Sequence, residues 1–149
     1  MLITLTEILY FIILIGVIAY IFSDMFQVRP KTVYDYMHPK KFNLENLKLA
    51  ALVAAPAVIL HELAHKFVAM GFGFTATFEL FYFGLILGIF LKMISSPLMI
   101  IAPGYVVPAA ALVNFPLEYR LVALAGPLMN LLLWLIAVLI LKFNQNLSR

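Results

Sequence analysis

The sequence has no cysteine, which excludes disulfide staples and thiolate ligands and leaves His, Asp and Glu for any metal site. Those residues are themselves scarce: there are three histidines, and the only aspartates are Asp24 and Asp35. Charged residues make up 11% of the 149, against 65% hydrophobic. A soluble domain of this size would leave much of that apolar surface wet, and large exposed patches are rare. Lipid is the cheaper solvent. The net charge of +3 does not suggest nucleic acid. Basic residues gather instead in Arg29, Lys31, Lys40, Lys41 and Lys48, where an anionic headgroup layer is the expected partner. There is no internal repeat and no low-complexity tract.

What is present is a set of long apolar runs. A membrane span needs about 20 largely apolar residues. Residues 2–22, 49–70 and 120–141 meet that requirement. A fourth run is interrupted by Lys92 and Ser95-Ser96-Pro97, and reads as a shorter helix over 83–94. The first run has no basic residue before it and carries Glu7 early, so it reads as a retained transmembrane helix rather than a signal peptide. Pro30 and Pro39 break the polar connection 23–48, and Asn43 with Asn46 marks a helix start. After Gly71-Phe72-Gly73, a helix stop, Phe74, Ala76, Phe78 and Leu80 alternate with Thr75, Thr77 and Glu79. That is a strand period over 74–80, with residues 98–108 as its expected partner. The predicted fold is therefore mainly α: one polytopic membrane domain over 1–149, with three to four transmembrane helices and a short β-hairpin-like insertion. Gly84-x-x-x-Gly88 would let a neighbouring helix approach closely.

The chemistry sits at His61-Glu62-Leu63-Ala64-His65. Two histidines four apart share one helix face and can bind one Zn²⁺ from the same side. Glu62 is rotated off that line, placed to take a proton from a water that the metal acidifies. Ionisable groups inside an apolar helix are expensive and normally functional. Ala50, Ala54 and Ala57 continue the histidine face with small residues, and Pro56 frees a carbonyl one turn earlier. The bland reading makes both histidines polar glue between helices and pairs Glu62 with Lys66. It does not require this order of residues.

This motif, followed by a strand region and then Ala125-Gly126-Pro127-Leu128-Met129-Asn130 opening a later helix, resembles the site-2 protease family of intramembrane zinc metalloproteases. The resemblance covers roughly residues 49–141. It implies that His61 and His65 ligate zinc and that Glu62 activates water. It further implies that Phe74, Thr75, Ala76, Thr77 and Phe78 bind an unwound substrate segment by strand addition, and that Asn130 helps to position it. A helical peptide bond is shielded by its own hydrogen bonds, so extension of the substrate makes chemical sense. The simpler reading of Gly126-Pro127 is ordinary helix-start chemistry.

The family's third ligand is an Asp in an Asp-Gly pair on a further helix, and this sequence has no Asp-Gly. A longer protein could carry it, which is the preferred expectation and predicts a native mass above 16.8 kDa. Alternatively Glu79, Glu118 or a second copy, by self-association, completes the site, or the protein is catalytically inactive. The basic loop argues for a cytoplasmic 23–48, whereas the resemblance implies the reverse; the latter is preferred because motif depth is tied to mechanism.

The leading function is thus a multi-pass cell-membrane protease that cuts membrane-protein substrate helices. The alternative is an inactive protease-like protein that binds transmembrane partners. A transporter is disfavoured by the absence of inverted repeats. His38 reads as a solvated loop residue, Trp134 as packing or interface anchoring, and Lys92 as a cation that snorkels or faces a polar cavity.

Overall fold

The computed structural model describes residues 3–26, 33, 37, 43–96, 98 and 102–143. Arg29, Lys31, Lys40, Lys41, Pro30, Pro39, His38, Asp35 and Pro97 lie outside the described residues. The chain is mainly helical. Its elements run α1 (Leu5–Phe22), α2 (Leu44–Gly71), β1 (Ala76–Leu80), α3 (Tyr82–Met93), β2 (Gly104–Pro108), a 3-10 turn (Ala110–Asn114) and α4 (Pro116–Phe143). Helices α1, α2 and α4 are long and apolar enough to cross a membrane. At 28 residues each, α2 and α4 are about 42 Å long, more than a hydrocarbon core of about 30 Å. With 12 residues, α3 reaches only about 18 Å.

By packing, the chain divides into two units, Met1–Pro56 with Glu79–Tyr105 and Ala57–Phe78 with Val106–Arg149. In the first unit a capping box starts α1. Thr4 Oγ1 accepts from the Glu7 backbone N–H at 3.2 Å, and the Thr4 N–H donates to Glu7 Oε2 at 2.8 Å. That accounts for an acidic residue buried at the head of an apolar helix. The other end of α1 is held by Lys92 of α3. Its ammonium donates to the carbonyls of Tyr20 and Ile21 and to Ser23 Oγ, and lies 3.1 Å from Asp24 Oδ2. A cation here answers the last-turn carbonyls that α1 cannot bond itself. Lys92 thereby caps α1.

The start of α2 is set by Asn43, whose Oδ1 accepts from the backbone N–H of Glu45 at 3.0 Å. The helix therefore begins at Leu44, before the apolar run that hydropathy detects. It ends in a Schellman turn: Gly73, at φ +83°, donates to Met70 O, and Phe74 donates to Ala69 O. Phe74 closes that turn, and β1 begins at Ala76, two residues later than the alternation suggests. Within β1, Ala76, Phe78 and Leu80 are buried while Thr77 and Glu79 are exposed, as the period of two requires. The sheet with β2 is antiparallel. Ala109 N–H donates to Thr75 O at one end and Phe81 N–H donates to Pro103 O at the other.

In the second unit Ala69, Ala76, Leu112 and Val122 form a buried cluster, with Val68, Phe74 and Val106 packed against it. The Phe74 ring also meets Phe115, centroids 5.3 Å apart. This cluster joins the C-terminal half of α2, the head of β1, the 3-10 turn and α4 in one packed body. In one respect the sequence reading needs correction. Ala125-Gly126-Pro127 does not open a helix: α4 starts at Pro116, and Pro127 lies inside it. Pro116 fills the first-turn position that suits proline, so Gly126 needs another explanation.

Candidate metal centre

On α2, His61 and His65 stand one turn apart on one face, as their spacing predicts. Their Nε2 atoms are 3.2 Å apart, and the rings meet edge to face at 81° with centroids 4.9 Å apart. Two nitrogens on a tetrahedral Zn²⁺, each about 2.0–2.1 Å from the ion, are about 3.3–3.4 Å from one another. The pair has the bite of one ion.

The face of α4 toward these rings is built from residues four apart. Val122 comes first, and its carbonyl accepts from His65 Nδ1 at 2.6 Å. With the His65 proton held on Nδ1, the Nε2 lone pair is left to a metal, the arrangement that outer-shell partners usually enforce. Gly126 is next. A Cβ on it would lie 2.3 Å from His65 Nε2 and 2.5 Å from His61 Nε2, closer than any real side-chain atom. The missing side chain leaves room for both imidazoles against α4. Asn130 completes the row, its amide Nδ2 3.1 Å from His61 Nδ1. Glu62, next to His61, is buried at 6% exposure, and Lys66 is buried as well.

The residues expected to act together are thus only partly assembled by this geometry. His61, His65 and Asn130 are brought into one row of contacts, with Asn130 against a histidine. Ala76 and Phe78 turn their side chains into the core and Thr77 turns outward; Phe74 packs in the unit's cluster. Among the described residues no group of three or more His, Asp or Glu is placed to hold an ion, and neither Glu79 nor Glu118 makes such a group. The pair fits a metal as two of its ligands. Two contributors were missed by sequence reasoning, the Val122 carbonyl and the close approach at Gly126. Gly126 left a signal, a glycine four residues before Asn130 in an apolar helix, whereas the Val122 carbonyl left none.

No family model matches the chain, and no solved structure matches it. Among curated proteins the likeness is to a metalloprotease by name. The relative is a protein of Methanocaldococcus jannaschii named "putative zinc metalloprotease", 35% identical over 99 residues. The match covers 66% of this chain and 51% of the relative, so the chain spans about half the relative's length.

Proposed function

We propose that this chain is a membrane-embedded zinc metalloprotease of the site-2 type, hydrolysing peptide bonds in or near transmembrane segments of membrane proteins. The observation that carries the reading is the imidazole pair: two Nε2 atoms 3.2 Å apart, with Gly126 clearing the space beside them. The name of the M. jannaschii relative supports a metalloprotease. The three long apolar helices support a multi-pass membrane location, in which lipid covers the exposed apolar faces.

His61 and His65 would hold the ion, and a catalytic zinc site would need a further protein ligand, which no group among the described residues supplies. When bound, Zn²⁺ supplies Lewis-acid polarisation of the scissile carbonyl and acidifies a water. Glu62 takes the proton of the attacking water as its oxygen bonds the carbonyl carbon, then delivers it to the amine nitrogen as the C–N bond breaks. Burial of Glu62 keeps bulk water from exchanging that proton. Within the 74–78 stretch, Ala76 to Phe78 belong to β1 and would hold an extended substrate segment through main-chain hydrogen bonds, with the exposed Thr75 and Thr77 side chains beside it.

A zinc assay on the detergent-purified protein, paired with a Glu62→Gln variant, tests this. About one zinc per chain, lost in His61→Ala, is expected. Glu62→Gln should keep the zinc and lose cleavage by roughly 10²–10⁴-fold. The lack of a third donor among the described residues favours a second reading, an inactive protein that holds transmembrane partners. On that reading Glu62→Gln leaves the cellular effect unchanged.

A further inference from the structure

Two contacts between α1 and α3 set the depth at which α3 begins. At one end the Tyr10 hydroxyl is hydrogen-bonded to Tyr82, and at the other the Lys92 ammonium donates to the carbonyls of Tyr20 and Ile21. The two contacts are about 15 Å apart on either helix, so the helices run side by side in one direction. Tyr10 stands in the second turn of α1, about 8 Å inside its N-terminal end. With α1 about 27 Å long, close to a hydrocarbon thickness of about 30 Å, the corner between β1 and α3 lies at membrane depth.

Glu79 belongs to that corner. Its side chain is exposed and within electrostatic reach of Tyr10. Phe81 N–H donates to Pro103 O, so two residues away the antiparallel register sets Glu79 opposite Tyr105. Such pairs have Cβ atoms about 5 Å apart. The Tyr105 ring, 49% exposed, is 6.5 Å from that of Phe81, which is also exposed. Glu79, Tyr10, Phe81, Tyr82 and Tyr105 all belong to the first unit. A carboxylate open to hydrocarbon is costly, and non-helical backbone at this depth needs protein or a water-filled cavity beside it. The corner therefore requires a cover, one that answers a negative charge set among aromatic rings.

We propose that Glu79, with the rings of Tyr105 and Phe81, is a docking site for a lysine or arginine side chain in the transmembrane segment that the protein takes as substrate. This rests on the metalloprotease reading and narrows its substrate class to segments with a basic residue inside the span. The match works in both directions. A basic residue in a span is itself costly, so each charge relieves the exposure of the other. An ammonium or guanidinium also packs favourably over an aromatic face. An acidic segment would be repelled.

The test is a fluorescence energy-transfer titration of the full chain, in vesicles, with a synthetic apolar peptide of about 20 residues. The peptide carries either Lys or Leu roughly five residues, about 8 Å, from one end. The Lys peptide should bind roughly 10–100-fold more tightly, the range for a hydrogen bond to a charged group. Glu79→Gln should remove that advantage and leave the affinity for the Leu peptide unchanged. Glu79→Lys should transfer the advantage to a peptide with Glu at the same place. Equal binding of the Lys and Leu peptides, or an advantage that survives Glu79→Gln, overturns the proposal. So does an advantage seen in phosphatidylglycerol vesicles and lost in phosphatidylcholine ones, which would give the site to a lipid amine headgroup. Preferred binding of the Lys peptide without cleavage by the zinc-loaded protein would retain the docking site and overturn the metalloprotease reading instead. The comparison of peptides on the wild type needs no variant, so a misfolded substitution does not shield the proposal.

Discussion

At Gly126 a hydrogen atom in place of a methyl group is what lets two imidazoles lie against α4. Alanine is the better helix former by about 1 kcal/mol in a helix interior, so on propensity alone Gly126→Ala should stabilise α4. The Cβ it adds would fall 2.3 Å and 2.5 Å from the two Nε2 atoms, and something must shift. We expect Gly126→Ala to lower Zn²⁺ affinity by at least about tenfold, an outer-shell-sized effect, without lowering thermal stability in proportion. Equal zinc affinity in the variant would show that the imidazoles are not pressed against this helix. Much at this scale was legible in advance. His61 and His65, singled out by their spacing, and Asn130, an amide in an apolar helix, are the residues that the structure brings into one row of contacts. The Val122 carbonyl could not be read, since any residue supplies one and only the fold selects which.

Between elements, the ties that matter are made by helix ends. Lys92 gathers the terminal carbonyls of α1, and its side chain is only 10% exposed, whereas that of Asp24 is 79% exposed. Hydrogen bonds from a charged donor are each worth about 1.5–3 kcal/mol, while an exposed ion pair contributes about 0–1 kcal/mol. Lys92→Met should therefore destabilise the protein in detergent by about 2–3 kcal/mol, and Asp24→Asn by well under 1 kcal/mol. A denaturant or thermal series on both variants checks the ordering; a larger loss in Asp24→Asn would reverse the assignment. At the end of α3, Ser95 occupies the left-handed region at φ +53° in a Schellman turn, donating to Lys92 O while Ser96 donates to Leu91 O. Ser95→Gly removes a strain of about 1–2 kcal/mol, partly offset by the entropy of the freer unfolded chain. A small rise in melting temperature is the expected result, and a fall would mean that the serine side chain contributes more than the strain costs. The bounds of α2 and α4 escaped hydropathy for one reason. Polar caps and a first-turn proline extend a helix beyond its apolar stretch, and the hydrophobic run marks what lipid would cover rather than where the backbone stops coiling.

On the scale of the whole molecule, the balance of composition governs. Leu5, Leu52, Phe83, Leu117 and Phe143 are all more than 65% exposed, on four different helices. Water would charge heavily for that surface, at about 25 cal/mol per Å². The chain should accordingly remain in the pellet when membranes are washed with alkaline carbonate and enter solution only with detergent. Release by carbonate alone would sink the membrane reading. Among the described residues, the three membrane-length helices and their order were legible because a span must be apolar over its length. The division into two units was not, because it runs through α2 at Pro56 and through both strands, where neither composition nor hydropathy changes.

The two donors facing each other across 3.2 Å are both imidazole nitrogens, and the chain has no thiolate to add. Nitrogen donors rank divalent ions by intrinsic affinity, and on that scale copper outranks zinc. On the metalloprotease reading, the imidazole pair would not by itself choose a metal by donor type. Which ion it carries would follow from supply, so an excess of cupric ion should poison it by displacement, and the ion recovered from an overproducing cell would report the growth medium.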